Sequence, residues 1–150
     1  RDPVARAVSW VQHLQRLEGL DGSVAQWLGQ ELDQLEPLNA DQLAAHPRIG
    51  TGAVQDSCYD MHWKRWRQAL PDNPPLLLSS DRLFAHPEVE LSALLKCLGK
   101  KGDARPWLRH WRPLNVNPQA SETLPTDLHQ RLERFLQAQC QQTLALTNQA

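Results

Sequence analysis

Two stretches of this chain carry residue types in an order that could do chemistry. The first is Arg1-Asp2-Pro3-Val4-Ala5-Arg6-Ala7-Val8-Ser9. Asp2 can cap a helix and Pro3 suits its first position, because the carboxylate accepts an unpaired amide and proline has none to lose. The first amides of a helix are unpaired and its dipole is positive there, which makes a ready anion site. Arg1 lies just before that terminus and can fork onto a phosphate or carboxylate. Ser9, two turns later on the polar face, can donate a hydroxyl. Together the two would hold a dianion beside the helix rather than at its tip. The plainer account of the same residues is a capped surface helix with a solvated arginine. Arg6 suits a solvated or an intramolecular ion-pair role, and His13 a place on the polar face.

The second stretch is residues 100–112. Lys100, Lys101, Arg105, Arg109 and Arg112 stand against Asp103, a charge of +4 in a chain whose net charge is −1. Trp107, His110 and Trp111 sit among them. Such a loop can close on phosphates, draw in an anionic acceptor, or simply be solvated. Interleaved basic and aromatic residues also suit single-stranded nucleic acid. Here the charge is confined to one loop, so no nucleic-acid partner is expected. Cys58, Cys97 and Cys140 are odd in number and widely spaced. They form neither a disulfide framework nor a metal-ligand pattern, and they fit a reducing compartment. No metal is expected.

Helices must position most of these residues. Val4, Ala7, Val8, Val11 and Leu14 recur at helical spacing, and Gly19 and Gly22 end that run. Ser23 can cap a second helix with Val24, Trp27, Leu28, Leu32 and Leu35 inward, stopped by Pro37. Residues 39–46 add a short turn, and Gly50-Thr51-Gly52 is a loop. A third helix is predicted from about Val54 to Leu70, burying Cys58, Met61 or His62, Trp66 and Ala69. Leu76-Leu77-Leu78-Ser79-Ser80 is short, apolar and bounded by breakers, which predicts a buried strand over 76–80. Pro87 opens a fourth helix with Val89, Leu91, Leu94, Leu95 and Leu98, ended by Gly99. Residues 100–123 read as irregular. Thr126 can cap a last helix holding Leu128, Leu132, Phe135, Leu136 and Leu144.

With 41% hydrophobic residues, the 150-residue chain can form a core, and its six Trp favour wide amphipathic surfaces. No run reaches the ~18–20 apolar residues of a membrane span, and no signal peptide is visible. One strand among five helices reads as the later half of an α/β domain. The opening on Arg1 rather than Met fits a chain whose upstream part is missing.

The opening motif resembles the 3′-phosphate motif of PAPS-dependent sulfotransferases of the heparan-sulfate and bacterial type. In that family an Arg after a core strand and a Ser eight residues on bind the 3′-phosphate of PAPS; Arg1 and Ser9 match both. Further matches follow in order. Ser57-Cys58-Tyr59 through Trp66 resembles the family's Ser-x-Tyr helix ending in Trp. Leu76 through Leu83 resembles the next strand and the Glu-x-Leu beyond it, with Asp81 in place of Glu. Pro87 through Gly99 resembles the helix closing on Phe-Leu-Gly, here Cys97-Leu98-Gly99. Asn115 through Pro118, and Leu124-Pro125 through Phe135, resemble the late loop and terminal helix. Ala138 and Cys140 stand where the family has a Pro and an Asn, and residues 36–53 have no counterpart.

The resemblance implies an α/β, P-loop-like sulfotransferase fold, of which residues 1–150 form the mostly helical C-terminal part of a single domain. It implies transfer of a sulfuryl group from PAPS, leaving PAP, to a hydroxyl or amine of a carbohydrate or small molecule. Arg1 and Ser9 would bind the donor, joined by Lys101, Gly102, Arg112 and Asn115. The 5′-phosphosulfate loop and the acid/base residue would lie upstream of Arg1, so no catalytic residue is assigned and the fragment alone would be inactive. The cytoplasm is the expected location, or the Golgi lumen in a eukaryote. The rival is a non-catalytic helical interaction module derived from such an enzyme.

Overall fold

The computed structural model describes residues 1–73, 75–101, 104–109 and 123–149. Helices make up 68% of them. The elements in order are α1 (Pro3–Glu18), α2 (Val24–Leu35), α3 (Ala40–Ala45), a 3-10 turn (Gln55–Ser57), α4 (Tyr59–Ala69), α5 (Ser80–Ala85), α6 (Pro87–Cys97), α7 (Arg105–Leu108), α8 (Thr126–Ala138) and α9 (Gln141–Gln149). The chain divides into two compact units. One holds residues 2–75 and 120–150, the other residues 76–119 with Arg1.

Helix starts in the larger unit follow local capping chemistry. The Asp2 carboxylate accepts the Ala5 amide at 2.7 Å, with Pro3 in the first turn. Ser23 accepts from the Gln26 amide at 3.1 Å, and Asn39 and Gln42 form a capping box on α3. Gly19 takes the left-handed conformation that ends α1, at φ 66°. The core gathers one stripe from each element: Val4, Ala7 and Val11; Val24, Leu28, Leu32 and Leu35; Leu43; Ile49, Ala53, Val54 and Cys58; Leu128, Leu132 and Leu136. Burial of each such Leu or Val contributes about 1.5–3 kcal/mol.

The expected third helix is interrupted. Cys58 has φ −80° and ψ 78°, which separates the 3-10 turn from α4 and resets the helical phase. Trp63 is therefore the buried residue of α4, while Trp66 is 57% exposed and Ala69 exposed. The expected last helix is also two helices, α8 and α9, parted at Gln139–Cys140. Thr126 opens α8 without a side-chain cap.

In the smaller unit the strand over 76–80 does not form, and the described residues contain no strand. The fold class is correspondingly helical rather than α/β. A strand needs a neighbour to pair its backbone groups. Leu76 and Leu78 are exposed coil instead. The Ser79 hydroxyl accepts the Arg82 amide at 3.3 Å, so the two serines begin α5 rather than end a strand. Arg82 pairs with the buried Glu90 of α6 at 2.8 Å. Gly99, at φ 65°, follows the end of α6. Val89 and Leu98, expected inward, are exposed.

Candidate functional site

The anion at the tip of α1 is the chain's own, since the Asp2 carboxylate accepts the Ala5 amide. Arg1 is exposed and groups with the smaller unit. Ser9 is half-buried on α1 in the larger unit, and no described residue hydrogen-bonds its hydroxyl. Lys101 is exposed in coil beyond α6. Gly102, Arg112 and Asn115 lie outside the described residues, as do Asp103, His110 and Trp111.

Around Ser9, the polar face of α1 is engaged with the loop that follows α3. Arg6 donates to the Ala53 carbonyl at 3.1 Å and the Ser57 hydroxyl at 3.4 Å, and lies 3.8 Å from Asp56. Of the two roles expected for Arg6, solvated or intramolecular, these contacts give the intramolecular one. Trp10 donates its indole N–H to the Thr51 carbonyl at 3.0 Å. Arg48 reaches the same carbonyl and Asp56, each at 3.0 Å. The two guanidinium carbons sit 5.7 and 6.0 Å from the Trp10 ring centroid, and His13 stacks on the ring at 5.6 Å. The rings and cations here cover one another, so they do not present an open platform.

Beneath this face lies a buried carboxylate that the motif reading missed. Glu31 is 1% exposed. It accepts the Thr51 amide at 2.7 Å, the Thr51 hydroxyl at 2.6 Å and the Val54 amide at 2.9 Å. Gly50 and Gly52, at φ 51° and 71°, bend the loop so that these donors converge. The sequence carried a signal: Glu31 occupies the core register between Leu28 and Leu35, where a charge persists only when fully paired. Residues 36–53, without a counterpart in the sulfotransferase pattern, are thus part of the core that supports α1.

Next to the 3-10 turn, His62 hydrogen-bonds the Gln55 backbone, while its Nε2 is buried without a described partner. Burial lowers its pKa from 6.5, Asp56 opposes that shift, and Arg65 and Arg6 add to it. Lys64, on the same helix, is exposed. Ser57 donates its hydroxyl to the Ala53 carbonyl at 2.7 Å and is not poised as a nucleophile. Among the described residues no group of three or more His, Cys, Asp or Glu could hold a metal. No described helix is long and apolar enough to cross a membrane. No family model, curated protein or solved structure matches this chain.

Proposed function

We propose that this chain is the helical donor-binding portion of a PAPS-dependent sulfotransferase, in which Arg1 and Ser9 hold the 3′-phosphate. The observation that carries the proposal is the setting of the motif. An Asp-capped helix starts directly after Arg1 and carries Ser9 two turns in, half-buried and with its hydroxyl unclaimed by any described residue. Because the Asp2 carboxylate already accepts the Ala5 amide, the reading puts the dianion beside the helix rather than at its tip. By the resemblance, Lys101, Gly102, Arg112 and Asn115 also belong to the nucleotide's binding residues.

The reaction is in-line transfer of a sulfuryl group to a hydroxyl or amine of a carbohydrate or small molecule, with PAP leaving. Arg1 and Ser9 orient the donor; they are neither the base nor the cation on the leaving phosphate.

The test is calorimetric titration of the complete protein and its Arg1→Ala and Ser9→Ala variants with PAP and its 3′-dephospho analogue. Loss of the charged partner is expected to cost about 1.5–3 kcal/mol of PAP affinity and loss of the hydroxyl about 1. The analogue should be nearly indifferent to both. Equal weakening for the two ligands would mean that these residues serve the fold. A second reading, a non-catalytic helical module, draws on the exposed Val89, Leu98 and Trp107 of the smaller unit. It requires that wild-type protein bind no PAP.

A further inference from the structure

We propose that Cys58 and Cys140 are an oxidisable pair, which a hydroperoxide converts to a disulfide fastening the α8–α9 corner to the start of α4. The two residues meet inside the larger unit. Cys140 donates its thiol to the Ser57 carbonyl at 3.1 Å and accepts the Tyr59 amide at 3.4 Å. Its sulfur therefore rests against the backbone on both sides of Cys58. The Cys58 thiol lies 3.5 Å from the Val54 carbonyl, and both cysteines are fully buried and free. A disulfide needs Cα atoms about 4.4–6.8 Å apart. The Cys140 sulfur, in contact with the backbone of Ser57 and of Tyr59, is placed beside Cys58.

The same placement sets the rate. Burial, then the neighbouring Cys140 and the carboxylates Asp56 and Asp60, push Cys58 up to about 12. Burial pushes Cys140 up to about 11, with Asp60 and Asp2 adding to it and the Tyr59 amide opposing. Thiolate, the reactive form, is scarce at neutral pH, so oxidation is slow and favours a small oxidant that can enter a packed core. The Cys140 thiolate attacks one peroxide oxygen. The O–O bond breaks, a sulfenic acid forms, and the departing hydroxide takes up the thiol proton as water. The Cys58 thiolate then attacks the Cys140 sulfur. The S–O bond breaks and hydroxide leaves with the second proton. Two thiols and one hydrogen peroxide give one disulfide and two waters. The thiol hydrogen bonds to Ser57 and Val54 are exchanged for a covalent tie between distant parts of the chain, which restricts the unfolded state.

The experiment uses the full chain carrying Cys97→Ser, which removes the exposed thiol. Native protein is treated with hydrogen peroxide, alkylated and read by intact mass and peptide mapping. The expected result is loss of two hydrogens, a peptide linking positions 58 and 140, and a Tm raised by a few degrees until dithiothreitol is added. In a Cys58→Ser variant Cys140 should stop at oxygen adducts. The proposal is overturned if native protein keeps both thiols alkylatable, or carries separate sulfinic acids, or links the two positions only after denaturation.

Discussion

Glu31 shows what one buried residue must do in this chain. Three donors converge on its carboxylate, so Glu31→Ala leaves two amides and a hydroxyl buried without an acceptor. Each unsatisfied group costs about 1–3 kcal/mol. The variant should lose at least about 3 kcal/mol in chemical denaturation; Glu31→Gln, which keeps one acceptor oxygen, should lose less. An unchanged midpoint in Glu31→Ala would mean that the loop finds other acceptors. His62 makes the complementary case for pH. Its folded pKa lies below the unfolded 6.5, chiefly because it is buried. Between those two values the unfolded chain binds more protons, so stability rises with pH across that window and levels off above about 6.5. Denaturation midpoints taken in steps of pH should show this slope in the wild type and a flatter one in His62→Gln. At this scale the sequence was legible where chemistry is local. Asp2, Ser23 and Asn39 cap from three residues away or fewer. Glu31 finds its donors twenty or more residues on, and no local pattern names them.

Helices α1 and α2 were readable because each carries one continuous apolar stripe with a cap before it and a breaker after it. The break between α8 and α9 was not, because its cause lies in α4. The Asp60 amide donates to the Gln139 carbonyl at 3.1 Å. The Asp60 carboxylate accepts the Gln142 and Thr143 amides at 2.9 and 2.8 Å and the Thr143 hydroxyl at 2.8 Å. It caps α9 from a different helix. Asp60→Ala should therefore fray α9 at its start, with a loss of about 0.5–2 kcal/mol, as for other capping residues. Amide hydrogen exchange should quicken at Gln142 and Thr143 and stay unchanged in α2; unchanged protection at both amides would contradict the capping role. Leu76-Leu77-Leu78 failed as a strand for a related reason. An apolar run predicts burial, but only a neighbouring strand makes a sheet, and none is present among the described residues. The Arg1–Ser9 stretch was legible as a helix start because its cap and its proline both lie in the first turn.

Across the larger unit, two kinds of contact join α2 to α8, and their magnitudes decide which one holds it together. Arg131 bridges Asp33 at 2.7 Å and Glu36 at 2.6 Å. The residue beside it, Leu132, is fully buried against the core that Leu28, Leu32 and Leu35 supply from α2. The ion pairs look strong by distance, yet the side chains are about a third to two-thirds exposed, so water and salt screen them. Exposed pairs contribute about 0–1 kcal/mol. Emptying the Leu132 site removes apolar burial and leaves a cavity, at about 2–5 kcal/mol. Leu132→Ala should thus lower stability several times more than Arg131→Met. The Arg131→Met deficit should shrink at 1 M sodium chloride, whereas that of Leu132→Ala should persist. Denaturation of both variants at low and high salt checks the ordering. A larger, salt-sensitive loss in Arg131→Met would assign the α2–α8 junction to electrostatics instead of packing.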